Sequence, residues 1–332
     1  MRLIQRGFFI VGPTATGKSE IAADVACEVG AEIVSADAFQ IYRGLDLLTA
    51  KPARPTLAKA PHHLIGTILL TEEMNAEKFR RAATCAIEEI NSRGKLAIVV
   101  GGSGLYIKAL THGLASLPKS DPKLREKLTA MSSDELRSRL AELDPKTAEK
   151  IDLKNRRRLV RALEICLLTG KPASEQRTVA ASLREPGATA VMNAGTSAWH
   201  SEAATARASP TPATGVFLFR DREELYNRIN LRVEAMFKYG VLNEVRAAGP
   251  TSTTASQMIG LREIRELLAG KQSLSQPIAQ IQQATRRYAK RQLTWFRRQT
   301  NFLPLNLSFL THNEAVKWIS LRILSEAGTR DD

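Results

Sequence analysis

Gly12, Pro13, Thr14, Ala15, Thr16, Gly17, Lys18 and Ser19 make a complete phosphate-binding loop pattern, placed directly behind the apolar run Phe8-Phe9-Ile10-Val11. In such a loop the glycines let backbone N–H groups converge on anionic oxygens, and the lysine adds charge. Ser19 has the hydroxyl that holds a Mg²⁺ bridging the phosphates. The chemistry indicated is retention of a polyphosphate whose identity the loop leaves open. A second candidate is Asp37, in Ser35-Ala36-Asp37-Ala38-Phe39-Gln40, just past the apolar stretch Ala31 to Ser35. A carboxylate there suits proton transfer or metal work, because ligands of open α/β sheets bind at the carboxyl edge. A turn-forming Asp at a strand end is the competing reading. Gly101-Gly102-Ser103-Gly104 forms a third constellation. Its N–H groups and the Ser103 hydroxyl either face a second polar group or simply join a strand to a helix.

The elements that must position these groups are legible in the apolar spacing. Ile21, Ala22, Val25, Ala26 and Val29 follow helical periodicity after Lys18, so the loop has the strand before it and the helix after it that the pattern requires. Further strands are expected at Ala31 to Ser35, Leu96 to Gly102 and Val216 to Phe219, with a helix from Asn75 to Arg93 closed by Gly94. Continuous apolar strands alternating with helices predict an α/β fold with a parallel sheet buried on both faces. The run ending at Gly101 lacks the acidic residue that closes a Walker B strand, which disfavours simple nucleotide hydrolysis. Thr49-Ala50-Lys51-Pro52 and Pro61-His62-His63-Leu64 fall in loop-like sequence. Adjacent histidines there lack ligand spacing, so no zinc site is expected.

The chain divides into residues 1–120 (first part of the core), 121–182 (a helical insertion), 183–214 (an Ala, Ser, Thr and Pro-rich segment without periodicity, read as a flexible loop), 215–310 (second part of the core) and 311–332 (a C-terminal helix and tail). Helices are expected over 222–238, 240–248, 256–269 and 275–300. The net charge of +14, from 48 Lys and Arg against 34 Asp and Glu, favours a polyanionic partner. Within the insertion, helical spacing puts Arg157, Arg158 and Arg161 on one side and Leu159, Leu163, Cys166 and Leu167 on the other, a guanidinium cluster suited to phosphates. Near the end, Arg286 to Arg298 interleaves basic residues with Tyr288, Trp295 and Phe296. The last two are read as core anchors and the basic groups as RNA contacts. Cys27, Cys85 and Cys166 lack paired spacing and read as reduced thiols. With no membrane-length apolar run and no cleavable leader, a cytoplasmic protein is expected.

In order, GPTATGKS (12–19), SADAFQIY (35–42), TAKP (49–52), PHHLI (61–65), GGSGLYIKAL (101–110), RRLVRALE (157–164), DREELYNRINLRV (221–233) and TRRYAKRQLTWFR (285–297) resemble the isopentenyl-tRNA transferase family, the tRNA dimethylallyltransferases. The resemblance covers nearly everything except 183–214 and the extreme C-terminus. It implies a P-loop NTPase-like parallel sheet flanked by helices, an inserted helical tRNA-binding domain, Mg²⁺ as cofactor, and a monomer. The implied reaction moves a dimethylallyl group from dimethylallyl diphosphate to N6 of the adenosine 3′ of the anticodon, in tRNAs reading codons that begin with U. It also implies Asp37 as the base acting on N6, Lys18, Ser19 and Arg232 at the diphosphate and metal, and the anticodon stem-loop as partner. Asp37, Ala38, Phe39, Gln40, Ser103, Arg125, Arg157, Arg158, Leu159, Val160, Arg161 and the Gln257, Gly260, Arg262 segment correspond to RNA-contacting positions. The chain departs from the pattern at Ala38, where relatives have Ser, at Gly66, where they have Asp, and at Leu261, where they have Tyr. Two rival readings share some features: a P-loop small-metabolite kinase, which leaves the arginine helix without a role, and a non-catalytic RNA-binding protein, which leaves Lys18, Ser19 and Asp37 without one.

Overall fold

The computed structural model describes residues 7–114, 117–152, 155–176 and 215–328, so the segment 183–214 lies outside the described residues. The chain forms two compact units, Met1–Thr111 with Arg207–Asp332, and His112–Ala206. In the first unit β1 (Gly7–Val11), β2 (Glu32–Ser35), β3 (His62–His63), β4 (Ala97–Gly101), β5 (Gly215–Phe219) and β6 (Leu303–Asn306) make one parallel sheet in the order β3-β2-β4-β1-β5-β6. β1 lies between β4 and β5, which explains its unbroken apolar sequence. Phe9 and Val11 enter the core on one face, and Phe8 and Ile10 enter the core on the other.

Around the sheet lie α1 (Lys18–Val29), α2 (Arg54–Leu57), α3 (Ala76–Ser92) and α4 (Gly104–Thr111). Helix α1 begins after Gly17 and stops at Gly30, whose left-handed backbone returns its N–H to Ala26 O. Asn75 caps α3 by accepting from the Glu77 and Lys78 amides, and Phe79, Ala83, Ile87 and Ile90 form its buried stripe. In the second unit α5 (Pro122–Ala130), α6 (Ser133–Leu143), α7 (Pro145–Lys150) and α8 (Arg156–Thr169) are each started by a side-chain cap, from Asp121, Ser132, Asp144 and Asn155 in turn. Back in the first unit, α9 (Arg222–Lys238), α10 (Val241–Ala247), α11 (Leu261–Leu268), α12 (Ser275–Phe296) and α13 (His312–Gly328) complete the chain. Residues of α13 pack with α1 on one face of the sheet, while α3, α9, α11 and α12 contribute to the core on the other.

The structure revises several expectations. His62 and His63 form the edge strand β3 and pair with Ile33 and Val34, so they are not loop. β6 carries no expectation from the sequence. Its Pro304 removes a donor, which is tolerable because the strand is at the edge. The helix expected over 256–269 is broken: a 3₁₀ turn covers Ala255–Gln257, and Gly260 (φ 97°) separates it from α11. A Cβ at Gly260 would lie 3.0 Å from Leu48 Cδ1 and Ile281 Cδ1. α12 ends at Phe296, short of Thr300. On α8, Leu159 and Leu163 are buried, but Leu167 is 44% exposed, so the apolar stripe closes at Cys166.

Candidate active site

The phosphate-binding loop is shaped by its own sequence and then gripped from outside. A Cβ at Gly12 would sit 2.2 Å from Leu218 O, so only glycine lets the loop leave β1 so close to β5. Ala15 has a left-handed backbone (φ 66°), and the Pro13 carbonyl accepts from Thr16 Oγ1 and Lys18 Nζ, both at 3.1 Å. On the outside, Arg232 Nη1 donates to Thr14 Oγ1 (2.8 Å), Arg228 Nε to Ala15 O (2.8 Å) and Arg220 Nε to Thr16 O (2.9 Å). Gln292 is buried. Its Oε1 accepts from the Thr14 amide at 3.0 Å and its Nε2 donates to Gly102 O at 2.8 Å, tying the loop to the turn after β4.

Burial pulls the Lys18 ammonium down to about 8. The nearby Asp37 carboxylate opposes that shift, and Arg232 adds to it. Arg232 is pushed below the ordinary guanidinium value by burial, against the pull of Asp37 and Glu20, and its Nε is a buried donor without a partner. Lys18 and Arg232 are thus desolvated cations sharing one carboxylate, and an anion entering between them gains attraction that water would have weakened.

Asp37 sits in the turn after β2. Its Oδ1 accepts from the amides of Phe39 (2.9 Å) and Gln40 (3.2 Å), the local bond of a turn-forming Asp. The turn-forming reading thus accounts for Oδ1. Asp37 borders two open clefts. One, of about 360 Å³, is lined by Lys18, Ser19, Ser35 and His62. The other, of about 600 Å³, begins at Thr14 and Arg232 and continues along Met236, Met258, Ile281 and Tyr288. Burial and the field of Asp37 push the Tyr288 phenol up to about 12, so it stays protonated and serves as a donor with an apolar face. Ser103 is buried and its Oγ accepts from the Ala38 amide at 3.0 Å, binding the glycine-rich turn to the Asp37 turn. Ser103 thus brackets two loops and also meets the Tyr288 hydroxyl of the larger cleft.

Oxygen donors from Ser19, Ser35 and Asp37 surround the smaller cleft. Among the described residues no group of three or more His, Cys, Asp or Glu is arranged to hold an ion. A sparse oxygen set fits Mg²⁺, which keeps waters and shares phosphate oxygens with its substrate.

The remaining sequence candidates divide by exposure. Phe39 lines the larger cleft, and Gln40 lines the smaller one while donating to Ala50 O at 2.9 Å. Gln257 and Arg262 are exposed, and Arg262 is paired with Glu263 at 2.8 Å. Gly260, carried over as an RNA contact, is buried, as is Leu261, so the family's Tyr-to-Leu departure falls in the core. In the helical unit Arg157 and Arg158 are exposed. Leu159 and Val160, carried over as RNA contacts, are core side chains. Arg161 and Arg125 each pair at 2.6 Å with Glu164, which is wholly buried and also accepts from Ser120 Oγ (2.9 Å) and the Asp121 amide (3.0 Å). Burial would raise the Glu164 carboxyl, but these partners outweigh it and hold it below its usual range.

Lys51 of the TAKP segment donates to Tyr42 O (2.6 Å), Gly44 O (3.0 Å) and Asp46 Oδ1 (2.5 Å), so its three protons are committed to folding residues 42–51. A Cβ at Gly66 would lie 3.8 Å from Lys51 Nζ. The family's Asp at 66 would stand beside that ammonium, and here Asp46 supplies the carboxylate. Glu244 braces the same loop, accepting from the Leu47 and Leu48 amides at 2.9 Å each. Sequence reasoning missed Arg220, Arg228, Gln292 and Glu244. The four-residue step from Arg228 to Arg232, one face of one helix, was the available signal.

The chain matches the family model described as IPP transferase over residues 40–299. It belongs to the IPP transferase family. A tRNA dimethylallyltransferase of Citrifermentans bemidjiense is 42% identical over 294 residues, 87% of this chain and 88% of the relative. One from Akkermansia muciniphila is 38% identical over 321 residues, 96% and 99% of the two chains. The crystal structure of a tRNA isopentenylpyrophosphate transferase from Bacillus halodurans superposes with a TM-score of 0.66 at 30% identity, covering 98% of each chain. The likeness to that IPP transferase structure thus extends well beyond the segment matched by the family model.

Proposed function

We infer that this IPP transferase moves a dimethylallyl group from dimethylallyl diphosphate to N6 of the adenosine 3′ of the anticodon in tRNA. The observation that carries the reading is the pairing of two desolvated cations, Lys18 and Arg232, with a carboxylate, Asp37, that borders two open clefts of mixed polar and apolar lining. Family membership supports it, and no relative named above is a kinase.

In this mechanism the diphosphate lies against the loop amides, Lys18 and Arg232, and the allyl carbons occupy apolar surface. The bond from C1 to the diphosphate oxygen breaks as the bond from N6 to C1 forms. The N6 proton passes to Asp37 and the diphosphate departs. Charge developing on the leaving oxygens is met by preorganised donors in a dry site, where they are most effective. Ser19 would hold a Mg²⁺, which would add neutralisation of that leaving group. The adenine must leave its stack to reach C1, and Phe39 and Tyr288 offer aromatic faces beside Asp37. Exposed Arg157 and Arg158 bind the RNA backbone. Among the described residues no helix is long and apolar enough to cross a membrane. The reading also takes the enzyme to work in the cytoplasm as a monomer.

The test is incubation with unmodified tRNA, Mg²⁺ and labelled dimethylallyl diphosphate, followed by digestion to nucleosides. Label on N6 of adenosine is expected. No transfer to any tRNA, with ATP-dependent phosphorylation of a small substrate instead, would restore the kinase reading.

A further inference from the structure

The geometry points to Arg220 and Arg228 as positioning residues that aim the amides of the phosphate-binding loop at the diphosphate. This inference rests on the donor-site reading above. Arg228 Nε holds the Ala15 carbonyl at 2.8 Å and Arg220 Nε holds the Thr16 carbonyl at 2.9 Å. In a trans peptide the C=O and the following N–H point in opposite directions. Fixing the Ala15 oxygen on the outer side therefore turns the Thr16 N–H inward, and fixing the Thr16 oxygen turns the Gly17 N–H inward. Each arginine sets one anion-binding amide without touching the anion. Ala15 has a left-handed backbone, a conformation a non-glycine residue keeps only when its surroundings enforce it. The two guanidinium groups on the adjoining carbonyls supply that enforcement.

Arg220 is itself held. Arg220 Nη1 donates to Glu224 Oε1 at 2.5 Å and to Leu307 O at 3.0 Å, and Ser308 Oγ donates to Glu224 Oε2 at 2.6 Å. The turn after β6 is thereby linked to the loop. A Cβ at Gly17 would lie 3.5 Å from Arg228 Nη2 and 4.0 Å from Arg220 Nη2, so both guanidinium groups lie beside the start of α1. Since both loop hydrogen bonds use Nε, a nitrogen lysine lacks, a lysine at either position keeps the charge and loses the orientation.

The test uses the full chain with inorganic pyrophosphate as probe, comparing wild type with Arg228→Lys, Arg228→Ala, Arg220→Lys and Arg220→Ala by calorimetry. Each variant is expected to bind pyrophosphate roughly tenfold more weakly, the cost of one charge-assisted hydrogen bond. Lysine should be no better than alanine. The donor KM should rise in parallel, while tRNA affinity stays at the wild-type value in all four variants and the thermal midpoint stays there in the Arg228 variants. Pyrophosphate affinity preserved in the lysine variants would reduce the arginines to general charge and overturn the assignment. Wild-type affinity in the alanine variants would overturn it equally, and so would a drop in tRNA affinity matching the drop in pyrophosphate affinity. A wild-type chain that does not bind pyrophosphate would remove the donor-site reading itself, a result none of the other outcomes resembles.

Discussion

Lys18 carries its charge at a cost. Buried, it titrates at about 8 rather than 10.5, so between those values the unfolded chain holds the proton that the folded chain has released, and this group's contribution to stability rises with pH across that window. The proposed function runs the other way, since a diphosphate held by Lys18 would need the charged form. Donor KM should be level below pH 8 and climb above it, and Lys18→Met should remove the step as well as raise KM; a pH-independent KM in wild type would contradict the role. In the proposed mechanism Asp37 acts in the chemical step. Asp37→Ala should lower kcat by at least about 100-fold, the usual contribution of general-base catalysis, and change tRNA affinity little, read from single-turnover rates beside filter binding. Asp37, Lys18 and Ser19 were legible because a motif fixes their spacing. Arg220 and Gln292 were not, because one lies 204 residues from the loop atom it holds and the other 278, and nothing local marks either as a loop brace.

Helix α8 shows how an element divides its labour. Sequence periodicity placed Arg157, Arg158 and Arg161 together, and three residue names suggested one role. The structure splits them: Arg161 turns toward the buried Glu164, while Arg157 and Arg158 face solvent. Periodicity specifies a helix face but cannot show a buried carboxylate three residues on drawing one arginine inward. Replacing Arg157 and Arg158 with Ala should weaken tRNA binding and lower the slope of log affinity against log salt by about 1 for each phosphate no longer neutralised. An unchanged slope would leave them a solvated face. Glu164→Ala should act on stability, costing the helical unit about 3 kcal/mol in denaturant unfolding, because it removes the partner of two arginines, a hydroxyl and an amide. Glu164 is held in its charged form by these partners, so its stabilising contribution is present at neutral pH and disappears as acid drives the pH down through its lowered folded-state value.

At the scale of the whole molecule, strand-helix alternation in the first hundred residues and the late strand at Val216 sufficed to read a parallel α/β core. The sixth strand escaped because Leu-Pro-Leu-Asn lacks the apolar continuity of a central strand, and it takes its place at the sheet edge by pairing with β5. Gly260 escaped for a related reason: a single glycine interrupts an otherwise helical pattern, and only the tight approach of Leu48 and Ile281 shows why. The order β3-β2-β4-β1-β5-β6 has one more consequence. The strand that carries the phosphate-binding loop is made well before its neighbour β5, which begins at Gly215, and the helix packed on α1, anchored through Ser320 to Glu28 and His312 to Asp24, is made later still. During synthesis Phe8 to Val11 therefore stay unpaired on the β5 side until Gly215–Phe219 has been made, and α1 stays uncovered until the helix His312–Gly328 follows. The phosphate-binding loop is thus translated before the strand and the helix that enclose it, so a nascent chain halted before β5 has no means of assembling this site.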